Sequence, residues 1–139
     1  MAHLPGVPAE AVKVLLDSHT LIWSATNDDR LPRAVADLID HPGTRIALSV
    51  ASMWELTLKV LDGRLRLPEA PADYFEAVTA ELRAEVIPIE GRHVAALAEL
   101  PVLHDDPFDR MLVAQALVED LDLVTGDERI HRYPVRTIW

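Results

Sequence analysis

Two rhythms of apolar residues alternate along the chain. Short, nearly continuous apolar runs at residues 12–17, 45–48, 86–89, 121–125 and 135–138 read as strands buried on both faces. Between them, apolar positions fall at helical spacing over residues 19–25, 32–40, from Ser49 or Ser52 to about 61, 71–83, 92–100 and 107–120. Pro32, Pro71 and Pro107 suit helix starts, whereas His41-Pro42-Gly43 and Gly63 mark stops. Strands alternating with helices predict an α/β fold, an α/β/α sandwich around a central parallel sheet. Residues 1–11, with two prolines and one glycine, read as a flexible N-terminal extension, and residues 12–139 as one domain.

Composition narrows the function classes. The chain of 139 residues is half hydrophobic, enough for a substantial core. It has no cysteine, hence no disulfide framework or thiolate metal site. No apolar run is long enough to span a bilayer and no secretory signal pattern opens the chain, so a cytoplasmic location is expected. The formal charge of −10, from 23 acids against 13 lysines and arginines, opposes broad attraction to nucleic acid. A polyanionic substrate would need a local basic strip or a cation held by the acids.

In an open α/β sheet, ligands gather beyond the carboxyl ends of the strands. Asp17 closes the first strand and Asp127 follows a later one in LVTGDERI. In LHDDPFDRMLVAQA, Asp106 is placed to cap the longest helix, with Pro107 in its first position and Asp109 in its first turn. Glu55 sits among Met53, Trp54, Leu56 and Leu58, an apolar setting for a carboxylate. Each acid alone has an ordinary structural role as a cap, a turn residue or the i,i+4 partner of Lys59. Together, if the strands bearing Asp17 and Asp127 are neighbours, they form one cluster. Carboxylates about 5 Å apart at an effective dielectric of about 20 repel by roughly 3 kcal/mol per pair, so the cluster must take up protons or bind a cation. An all-oxygen donor set suits Mg²⁺ or Mn²⁺, and carboxylate-held cations are a general means of hydrolysing phosphodiesters.

Four stretches carry a resemblance: LLDSHTLIW, SVASMWELTLKVLDGRLRLP, HDDPFDRMLVAQA and LVTGDERI, in that order. The chain resembles PIN-domain ribonucleases, and more narrowly the VapC-type toxins of bacterial toxin–antitoxin pairs, from residue 13 to its end. The resemblance implies a Mg²⁺- or Mn²⁺-dependent endoribonuclease with Asp17, Glu55, Asp109 and Asp127 as catalytic and metal-holding acids. It places Thr125 near the metal and matches Ser18 to the Thr or Ser that often follows the family's first acid. It also implies a structured RNA substrate, a homodimer, and inhibition by a VapB-type antitoxin.

Candidates for substrate contact are Thr125, Arg110, Lys59 and Arg64, with Arg66, Arg129, Arg132 and Arg136 as further phosphate ligands. The histidines show no metal-ligand spacing, and His19 and His104 are assigned to the polar rim of the site. Trp23 and Trp54 are assigned to core or interface. Two other readings share the fold: a DNA- or structure-specific nuclease, and a catalytically silent binding module. A receiver-type phosphoacceptor is disfavoured because no lysine follows Lys59.

Overall fold

The computed structural model describes residues 12–139; the N-terminal extension at 1–11 lies outside the described residues. The elements run β1 (Lys13–Leu16), α1 (Ser18–Thr26), α2 (Arg33–Asp40), β2 (Arg45–Ser49), α3 (Val50–Leu61), α4 (Pro71–Leu82), β3 (Glu85–Ile87), α5 (Gly91–Glu99), α6 (Pro107–Glu119), β4 (Asp122–Val124), α7 (Glu128–His131) and β5 (Thr137–Ile138). The strands form one five-stranded sheet in the order β3-β2-β1-β4-β5. Every pairing is parallel.

Alternation along β1 shows why this sheet needs helices on both faces. Leu15 enters a core with Ala47, Ile87 and Leu123 beneath α6, joined by Leu100 at the end of α5. Its neighbours Val14 and Leu16 enter the opposite core with Ile46, Leu48 and Val124, covered by residues of α1, α2, α3 and α4. A period-two chain buried on both sides reads as a continuous apolar run, and fully burying each such side chain contributes about 1.5–3 kcal/mol.

Local chemistry sets the helix ends. Ser49 caps α3 by accepting from Ala51 N, which selects between the two serines the sequence offered. Asp106 accepts from the backbone N–H of Phe108 and Asp109 at the start of α6. Asn27, Arg83 and Asp120 end their helices in the left-handed region.

Two expectations are corrected and a third, Trp54 in core or interface, is narrowed. The third strand lies at Glu85–Ile87, upstream of its expected place, because Pro88 has no N–H to continue the ladder. The loop after β4 contains the unanticipated short helix α7, started by Asp127. Trp54 does not belong to the core: it is 56% exposed. Helix α3 buries Ala51, Ser52, Glu55 and Leu56, turning Val50, Trp54, Leu58 and Leu61 outward.

Candidate active site

Strand order reverses between β1 and β4, which makes a crevice at their carboxyl ends. Asp17 and Asp127 stand at its two sides. Asp17 caps α1 through a 2.8 Å bond accepted from Thr20 N. Its own backbone N–H donates to Val124 O at 3.1 Å, and the Thr20 hydroxyl donates to the same carbonyl at 3.2 Å. The first acid is therefore tied to the end of β4. Asp127 caps α7 by accepting from Arg129 N, and its backbone N–H donates to the Thr125 hydroxyl at 3.1 Å.

Helices supply the other two acids. Glu55 lies on the buried side of α3, where one carboxylate oxygen accepts a 2.6 Å bond from Ser18 Oγ. Its other oxygen is 3.4 Å from Lys59 Nζ. Asp109 lies in the first turn of α6, with Oδ2 3.4 Å from His104 Nε2 and 3.8 Å from an Arg129 guanidinium nitrogen.

Charge shows that the four acids converge. The Asp109 carboxyl is pushed up to about 7, first by burial and then by the negative charges of Asp106, Glu55, Asp127 and Asp17. Asp127 moves the other way, held below the usual carboxylate range chiefly by its hydrogen bond from Arg129. One crevice thus holds a carboxyl that resists ionisation opposite one that favours it, a pattern common in catalytic sites. Lys59 draws Glu55 aside and Arg129 draws Asp127, so the acids share a field without closing into one tight ligand ring.

The PIN domain family model matches residues 14–135. The chain belongs to the PIN-domain family. It is 30% identical over 131 residues to Ribonuclease VapC22 of Mycobacterium tuberculosis, covering 91% of this chain and 98% of that protein. Among solved structures, VapBC2 of Rickettsia felis, bound to a DNA fragment from its promoter, aligns with a TM-score of 0.70 and 17% identity over 91% of this chain and 98% of that one. FitAcB of Neisseria gonorrhoeae aligns at 0.65 with 18% identity, over 91% and 96% of the respective chains. These structural likenesses concern the fold: a parallel sheet between helical layers.

In this PIN domain, the candidates for substrate contact fare unequally. Thr125 is buried, and its hydroxyl is occupied in shaping the Asp127 turn. Lys59 pairs with Glu55 at the site. Arg64 lies past the far end of α3 and pairs with Asp62. Arg110 donates to Pro101 O at 2.9 Å and to the Tyr133 hydroxyl at 3.2 Å. Arg129 neutralises acids of the crevice. Arg136 stands at the opposite edge of the sheet, paired with Asp120 and Asp122.

His104 is more than a rim residue. Its Nδ1 is 2.8 Å from the Tyr133 hydroxyl. That hydroxyl also accepts from Arg110, and the other ring nitrogen, Nε2, lies 3.4 Å from Asp109. Arg110, Tyr133, His104 and Asp109 thereby form one hydrogen-bonded chain. Sequence reading missed Tyr133, which lies 29 residues from His104 with no local motif to link them.

A second polar cluster, Glu90, His93 and Glu119, brings its potential ligand atoms within 4.8 Å of one another at the other end of α6. His93 Nδ1 accepts from Glu90 N at 3.0 Å, so the neutral ring carries its proton on Nε2 and offers no lone pair there. Arg92 already bonds both carboxylates, at 2.9 Å and 2.7 Å. This cluster ties α5 to α6 and has the chemistry of a structural clasp, not a metal centre. A cavity of about 600 Å³ opens between Arg45 and Glu85, at the amino-terminal edge of the sheet away from the four acids.

Proposed function

We propose that the protein is a VapC-type endoribonuclease, the toxin of a toxin–antitoxin pair, which hydrolyses RNA with a divalent cation, Mg²⁺ or Mn²⁺, held by Asp17, Glu55, Asp109 and Asp127. The observation that carries this reading is the field at Asp109, whose carboxyl is raised to about 7 by burial and by the surrounding acids. A cation relieves that repulsion, and the all-oxygen donor set suits a hard divalent ion. The sequence similarity to Ribonuclease VapC22 supports RNA as the substrate.

When bound, the cation supplies positive charge for the scissile phosphate and makes a water acidic enough for in-line attack. The chain's own groups do the positioning. Ser18 fixes one oxygen of Glu55, and the Thr20 N–H fixes Asp17. Thr125 shapes the backbone that presents Asp127. His104, oriented by Tyr133, holds Asp109. A cation held by these acids would also reconcile a chain of charge −10 with a polyanion.

The partner side of the reading is a homodimer in the cytoplasm, silenced by a VapB-type antitoxin. Its support is the outward face of α3, where Val50, Trp54, Leu58 and Leu61 form an exposed apolar stripe along the helix that carries Glu55. Phe108, next to Asp109, packs edge-on against Trp54 at 5.0 Å, which carries the stripe to the mouth of the crevice.

The test is cleavage of total cellular RNA by antitoxin-free protein in Mg²⁺, Mn²⁺ or EDTA, with Asp109→Asn alongside. Discrete metal-dependent fragments, lost in the variant, are expected. Full activity in the variant would remove Asp109 from the site. Folded wild-type protein that binds Mn²⁺ yet cuts no RNA would favour the silent binding module.

A further inference from the structure

We propose that His19, Trp23 and Trp139 form a stacking platform that seats an unpaired base of the RNA beside the scissile phosphate. This inference rests on the ribonuclease reading and adds the side chains that contact a base.

The three rings make a short column. His19 stacks on Trp23 with centroids 5.5 Å apart and planes 16° from parallel. Trp23 meets Trp139 at 6.0 Å, tilted by 49°. The Arg30 guanidinium lies over Trp23, 4.9 Å from its ring centre.

The column is joined to the acids through both His19 and Trp139. His19 lies two residues past Asp17, in the first turn of α1. Trp139 lies against Gly126, the residue before Asp127, so closely that a Cβ there would stand 2.5 Å from the indole. A side chain at position 126 would displace the ring, so glycine is what seats Trp139 beside the acid-bearing loop.

The two hydrophobic cores do not account for these rings. Neither hydrophobic core includes His19, Trp23 or Trp139. His19 is exposed, Trp23 is half-buried and Trp139 is 41% exposed. Exposed aromatic surface beside a phosphodiester-cleaving site is suited to bases, because every base offers a π-face whatever its sequence. Stacking also needs no net positive charge, and this acidic chain has little to offer. Bases in a duplex are already stacked on both sides, so the platform selects a loop or single strand.

The test titrates the full chain, in Ca²⁺ so that a hard cation offsets the acids, with short unpaired RNA oligonucleotides and with the same strands annealed into duplexes, followed by tryptophan fluorescence. Quenching by the unpaired strands is expected. Binding should weaken about tenfold in His19→Ala and in Trp139→Ala, and recover in Trp139→Phe. In metal-replete cleavage, the alanine variants should raise KM by a similar factor with kcat nearly unchanged. Unaltered binding and KM in both alanine variants, with wild-type circular dichroism, would overturn the platform. So would duplex binding as tight as single-strand binding, or loss of a protein partner in these variants with RNA binding intact. Quenching by RNA without any cleavage would instead sink the nuclease reading and leave the platform standing.

Discussion

Asp109 concentrates the electrostatics of the crevice in one side chain. Its carboxyl is raised from 3.8 to about 7, so between these values the folded chain holds a proton that the unfolded chain has released. Stability therefore falls as pH rises through that window, by at most about 4 kcal/mol, and the full cost remains above pH 7. In EDTA, Asp109→Asn should raise the melting temperature at pH 8 and change it little at pH 4. An equal rise at both pH values would place the cost in packing, not charge. The same proton competes with a cation, so Mn²⁺ affinity measured by calorimetry should weaken as pH falls from 8 to 6. A flat profile would mean that Asp109 is not a ligand.

At the scale of elements, α6 joins folding to the site. Its cap, Asp106, satisfies two N–H groups of the first turn and, after burial, is the strongest charge raising the Asp109 carboxyl. Asp106→Ala should cost about 1 kcal/mol of stability, read from chemical denaturation at neutral pH. It should also move the pH midpoint of Mn²⁺ binding downward, because a repelling neighbour is gone. A midpoint that stays put would confine Asp106 to capping. Helix α3 shows the opposite relation between pattern and burial. Its carboxylate Glu55 points inward, where Ser18 and Lys59 receive it, while the larger and more apolar Trp54 points out.

Across the whole molecule, the outward stripe of α3, the partner surface of the proposed reading, contributes little to the fold. Trp54→Ala should lower stability by less than about 1.5 kcal/mol, since chiefly its edge contact with Phe108 is lost. Combined with Leu61→Asp, it should shift sedimentation equilibrium toward monomer. A large stability loss with an unchanged mass would return Trp54 to a folding role. The sequence by itself determined the alternation of strands and helices and the Asp106 cap, and it singled out the four acids as candidates. Each of those depends on neighbours within a turn or two of the chain, or on a motif read in order. Only the tertiary structure decided that β1 lies beside β4, that Trp54 faces out, that Thr125 is buried, and that Arg129 and Tyr133 support the acids. Ser18 meets Glu55 across 37 residues, and His104 meets Tyr133 across 29. Burial and charge pairing at such separations arise from how the layers pack, which no local periodicity encodes.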